Sequence, residues 1–148
     1  MARAFLSSLF AAGLALAAVP ALALDYRSVA EPSILWDAPS AKAKRQFIIA
    51  RGTPVEVVMG QGVWSKVRDA SGHLLWIENK ALSSRRTVMV KADKAPVRAQ
   101  ADDKSPLVFE AEKDVVLDWL ETGPAGWVKV KHRDGQAGFV RVGQVWGL

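Results

Sequence analysis

The sequence predicts an all-β protein made of two tandem copies of one small unit behind a removable N-terminal leader. Three observations carry this. Residues 63–87, VWSKVRDASGHLLWIENKALSSRRT, read as strand, tight turn, strand and a short helical turn. A looser copy, GWVKVKHRDGQAGFVRVGQVW, occupies residues 126–146. In register, Trp64 matches Trp127, Lys66 matches Lys129, Val67 matches Val130, Gly72 matches Gly135, Trp76 matches Phe139 and Ile77 matches Val140. The apolar runs are rich in β-branched residues and tryptophan and alternate with period two, with no sustained period of 3.6. Finally, 148 residues suffice for one ordinary domain or two very small ones, and 50% hydrophobic with 24% charged residues is a globular composition.

The leader is residues 1–23. Arg3 supplies a positive start, FLSSLFAAGLALAAV an apolar core, and Pro20 breaks the run ahead of Ala21-Leu22-Ala23, an A-x-A cleavage site that ends at Ala23. The apolar run is short for a membrane span. There is no cysteine, so a lipid anchor on that residue, disulfides, thiolate metal sites and cysteine nucleophiles are all excluded. The expectation is a periplasmic or secreted protein with no stable membrane anchor after cleavage. The first unit then covers 24–84 and the second, more divergent one 85–148. The net charge of +5 argues for weak, salt-dependent attraction to anionic wall or membrane material, or for plain solubility. Export argues against nucleic acid as the partner.

In chain order, residues 33–36 form a short strand and 37–40 carry turn chemistry. A basic loop with Lys42, Lys44 and Arg45 follows. Residues 47–50 and 54–59 are the next strands, joined by the turn 51–54. In the second strand Val55, Val57 and Met59 share one face. The hairpin that follows turns at 69–72, where Gly72 takes the positive φ of the return. Val67 and Ile77 point inward, whereas Lys66 and Arg68 face solvent. Residues 79–82 make one helical turn that ties Leu82 onto the core. Residues 83–86 form a short joint, so the two units touch. The second unit repeats the order: a strand at 88–90, then 95–98 as the counterpart of Ile34, Leu35 and Trp36. An acidic loop at 101–105 and strands at 108–110 and 115–120 come next. Trp146 stands near the place that Leu82 fills in the first unit.

PVEVV (54–58), WSKVRDASG (64–72), WIENKAL (76–82) and RRTVMV (85–90) resemble the bacterial SH3-like domain family. W-V-K-V (127–130), Gly135 and G-F-V (138–140) extend the likeness to the second unit. The resemblance implies two small curled barrels that bind peptides or cell-wall material without catalysis. This chain departs from the family pattern at Leu75, where glycine is usual, and at Trp36, where a strand-end arginine is common.

Catalysis is not expected. His73 and His132 are the only histidines and sit beside turns, and HExxH, G-x-S-x-G and phosphate-cradling glycine loops are absent. Two histidines without cysteine do not close a typical zinc site, and Asp102-Asp103 lacks calcium-loop spacing. Glu110, Glu112, Asp114 and Asp118 read as an exposed acidic edge. No metal or cofactor is expected. Trp119 and Trp127 read as core or inter-unit packing. Trp36, Trp64 and Trp76 read either as core or as an aromatic groove beside the charged loop, a natural peptide-docking surface. The candidate ligand-binding set is therefore Trp36, Trp64, Trp76, Lys42, Lys44 and Arg45. The expected partner is cell-wall peptide. The alternative is a structural adaptor contacting another exported protein or a second copy of the chain.

Overall fold

The computed structural model describes residues 23–148. Of the expected leader, residues 1–23, all but Ala23 lie outside them. Fourteen strands form two antiparallel sheets of seven. The first holds β1 (Asp25–Val29), β2 (Ser33–Trp36), β3 (Arg45–Ile49), β4 (Pro54–Gln61), β5 (Trp64–Arg68), β6 (Leu74–Glu78) and β7 (Leu82–Ser83), in the spatial order β3-β2-β6-β5-β4-β1-β7. The second holds β8 (Thr87–Val90), β9 (Lys94–Arg98), β10 (Leu107–Glu112), β11 (Val116–Thr122), β12 (Trp127–Lys131), β13 (Ala137–Arg141) and β14 (Val145–Trp146). Its order, β10-β9-β13-β12-β11-β8-β14, is the same topology again. No helix among the described residues is long and apolar enough to cross a membrane.

Each sheet rolls around its own core. In the first unit Val29, Leu35, Ile49, Val55, Val67 and Ile77 meet in one buried cluster, with Leu82 packed against it. Residues of both edge strands, Ile49 of β3 and Leu82 of β7, thus touch the same core, which a flat sheet cannot arrange. The second unit does the same with Val88, Val90, Val97, Leu117, Val130, Val140 and Val145. Val67 and Val130 are both fully buried, the inward role that the repeat predicts. The two central hairpins share one turn geometry. Asp69 and His73 close the first through N–H to C=O, His132 and Gln136 close the second, and Gly72 and Gly135 have φ of 88° and 96°.

Three details differ from the expectation. A bulge between Val57 and Met59 breaks the alternation of β4, so Val57 packs on the core while Met59 is exposed. The counterpart of Leu82 is Val145 rather than Trp146: Val29 pairs with Leu82, and Val90 pairs with Val145. Trp146 instead turns outward onto the first unit. Residues 25–29, an unassigned lead-in at the sequence level, form β1 and pair with β4 and β7.

The joint is dense. Arg86 lies between the rings of Tyr26 and Trp119, 5.6 and 5.5 Å from their centroids, and its Nη2 donates to the Gly147 carbonyl at 3.0 Å. Trp146 meets Tyr26 edge to face at 5.2 Å. The Thr87 hydroxyl donates to the Gly52 carbonyl at 2.7 Å, and Arg85 pairs with Asp118. Burial is the main reason that the Tyr26 phenol titrates above its ordinary range; the Glu56 carboxylate adds to this, and Arg86 and Arg68 oppose it.

At Leu75 the first unit carries a side chain where the second keeps Gly138. A Cβ on Gly138 would stand 2.5 Å from the Arg98 carbonyl oxygen and 2.9 Å from Val97 Cγ1, because β13 and β9 approach closely there. In the first unit β2 and β6 pair at Trp36 and Trp76, and Leu75 packs against the core. Gly138→Ala is therefore expected to destabilise the protein by about 1–3 kcal/mol through forced strand separation. Gly143→Ala, where nothing lies within 4 Å, is expected to be neutral. Denaturant titration of the two variants checks this.

Candidate functional site

The tryptophans of the first unit lie outside the inner core cluster, with Trp36 and Trp76 buried and Trp64 half-buried. Leu35 and Ile77 point into the barrel, so Trp36 and Trp76, their chain neighbours, point out, where they pair across β2 and β6. Trp64 and Lys66 share that outer face from β5. Trp36 and Trp64 meet edge to face at 6.2 Å, Arg45 lies over the Trp36 ring at 5.6 Å, and Lys66 over Trp76 at 5.9 Å. Among these neighbours Trp36 and Trp76 keep only 7% and 8% of their surface, whereas Trp64 remains half-buried. The structure thus brings together Trp36, Trp64, Trp76 and Arg45.

Lys42 and Lys44 stand apart on the exposed loop between β2 and β3. That loop is closed by backbone bonds. Asp37 N–H donates to the Lys44 carbonyl, and Lys44 N–H donates to Asp37 Oδ1 at 3.0 Å. Beside the aromatic cluster lie two shallow depressions, separated by Glu78 and Lys80. One, of about 180 Å³, is lined by Pro32, Ile34 and Trp36; the other, of about 310 Å³, by Gly62, Val63 and Asn79.

The second unit repeats the scaffold and closes it. Trp127 is the counterpart of Trp64, but its cross-strand partner is Arg141 where Trp64 faces Glu78. The Arg141 guanidinium covers the Trp127 ring at 4.3 Å and binds Asp103 of the loop between β9 and β10. Trp127 is buried as a result. Arg98 takes the place of Trp36 and donates to the Ser105 carbonyl, tying the same loop down. An ion pair thus lids the Trp127 ring, whereas its counterpart Trp64 stays half-buried without such a lid.

Two features escaped the sequence reading. The first is a groove of about 370 Å³ lined by Phe47, Ile48, His73 and, from the second unit, Met89 and Asp114. Phe47 and Ile48 are exposed on edge strand β3, and His73 leans on Phe47 at 5.1 Å with its Nδ1 2.9 Å from Asp69. His132 repeats the arrangement on Phe109, at 5.8 Å, beside Asp134. Both histidines thus sit at the hairpin turns, as expected. The second feature is a basic cleft between the units, described below. Trp119 packs against the second core and against Arg86 of the joint. Of the acidic edge, Glu110, Glu112 and Asp114 are exposed, and Asp118 is held by Arg85.

The geometry defines a class: small rolled β-barrels in tandem, with an aromatic outer face flanked by a variable loop. The chain belongs to the bacterial SH3 domain family, whose pattern matches residues 29–84 and again 91–147. No curated protein matches it. Among solved structures it is similar to NlpC1 from Trichomonas vaginalis, at 12% identity and TM-score 0.36, over 90% of this chain and 50% of that one. It is also similar to an NlpC/P60 family protein from Bacillus cereus, at 17% identity and TM-score 0.38, over 82% of this chain and 56% of that one. The chain spans about half the length of these structures.

The lid of the second unit has a measurable signature. The hydrogen bond from Arg141 holds the Asp103 carboxyl below its ordinary range. A depressed carboxylate favours the folded, lidded form above its unfolded pKa, and this contribution fades as the pH falls through the folded value. In Arg141→Gln, Asp103 is expected to titrate nearer the usual carboxylate value of about 3.9. Carboxyl-carbon NMR across an acid titration reads this directly.

Proposed function

We propose that the protein is a non-catalytic binding module of the cell envelope that holds an extended wall peptide against the outer face of its first unit. The observation that carries this reading is the contrast between the units: Trp64 stands half-open, while its counterpart Trp127 lies beneath the Arg141–Asp103 lid. Trp64 supplies the contact area, and Trp36 holds its ring edge to face. Lys42, Lys44 and Arg45 steer an acidic ligand toward it. Family membership supports the reading, since the bacterial SH3 resemblance implies peptide or wall binding. Export into the periplasm or medium, after removal of residues 1–23, belongs to the same proposal.

A second reading has its own observation. Phe47 and Ile48, 49% and 79% exposed on the free edge of β3, suit strand addition by another exported protein, which makes the chain an adaptor.

Co-sedimentation with purified wall sacculi tests both. Trp64→Ala is expected to weaken binding roughly tenfold in a folded variant, and Lys42→Ala only about two- to threefold, because aromatic anchors dominate interfaces while rim charges tune approach. Trp36→Ala is expected to lose both binding and part of its stability. A folded Trp64→Ala that sediments as well as the parent protein removes the face from the site. Ile48→Asp losing a protein partner while keeping sacculus binding selects the adaptor role for β3.

A further inference from the structure

We propose that the cleft between the two units is a second binding site, for an anionic glycan, and that Arg51, Lys131 and Arg133 are the groups that hold it. The cleft encloses about 640 Å³. Arg51 comes from the turn after β3, and Lys131 and Arg133 from the end of β12 and the turn beyond it. Val115 and Val116 line the cleft along with the Gly52–Thr87 contact that docks one unit on the other. The site therefore exists only in the assembled pair.

The charge balance is one-sided. The one carboxylate lining the cleft, Asp118, is already bound by Arg85 at 2.5 Å. Among the described residues, Arg51, Lys131 and Arg133 make no ion pair, and all three are exposed. Three cations thus face one cavity whose single lining carboxylate, Asp118, stands across from Lys131 and is held by Arg85. Guanidinium groups present paired donors that match carboxylate and phosphate oxygens. Low-dielectric walls on both sides concentrate the potential in the cleft.

The lining also selects among polyanions. Single-stranded nucleic acid binds where aromatic faces stack its bases. The only ring in this cleft is that of His132, which is engaged with Phe109 and Asp134. A chain with oxyanions and no flat bases fits better: a glycan carrying phosphate or carboxylate groups. The site is independent of peptide docking on the tryptophan face, which lies wholly within the first unit.

Isothermal titration of the mature chain at low salt tests the proposal. The probes are a phosphorylated glycan oligomer, an oligogalacturonate and a single-stranded oligonucleotide of matched charge. At least one glycan is expected to bind more tightly than the oligonucleotide, and to weaken as salt rises. Which of the two binds identifies the oxyanion. Arg51→Gln/Arg133→Gln is expected to lose roughly tenfold or more in affinity, while Lys91→Gln/Lys104→Gln, an equal charge change outside the cleft, stays within about twofold. Should the first pair fold poorly, Lys131→Gln reads the same site, with an expected loss of about threefold. Binding by neither glycan, tighter binding of the oligonucleotide, or unchanged affinity in a folded cleft variant would overturn the proposal.

Discussion

The arrangement depends on one side chain at the joint. Arg86 is held between Tyr26 of the first unit and Trp119 of the second, and its guanidinium donates to the Gly147 carbonyl at the end of the chain. Two aromatic faces on a desolvated guanidinium make a contact that a flexible linker does not provide. Its Nε is buried without a partner, a local cost that the stacking and the Gly147 bond offset. Tyr26, Trp146 and Thr87 complete the contact. Both inter-unit hollows, the groove at Phe47 and Met89 and the basic cleft, are shaped by this docking.

The two units show how one scaffold diverges without losing its fold. The inner cores are nearly interchangeable, valine for valine at Val67 and Val130. The outer faces are not. Exchanging Glu78 for Arg141 and Trp36 for Arg98 turns the half-buried tryptophan of the first unit into one roofed by its own loop. Leu75 against Gly138 changes how closely the edge pair of strands approaches that face.

Much of the fold was legible in the sequence. W-x-K-V, the turn glycines and the single helical turn fix strand order and the inward residues in both units. The site was only half legible. Period-two alternation places Trp36 and Trp76 opposite Leu35 and Ile77, but the cover that Trp64, Arg45 and Lys66 give them comes from neighbouring strands, which no local pattern records. Bulges at Leu35/Trp36 and Val57/Met59 shift the alternation just where the outer face begins. Trp146 was misplaced by one position because Val145 and Trp146 are both apolar, and only the pairing of β14 with β8 separates them. Arg51, Arg85, Lys131 and Arg133 are scattered in sequence and meet only once the units dock.

The docked joint is therefore the contact on which the cleft and the groove between the units rest. Backbone nitrogen relaxation on residues 24–148 measures it most directly. One rotational diffusion tensor should describe strands β1–β7 and β8–β14 together. Two tensors, with each unit tumbling on its own timescale, would contradict the account.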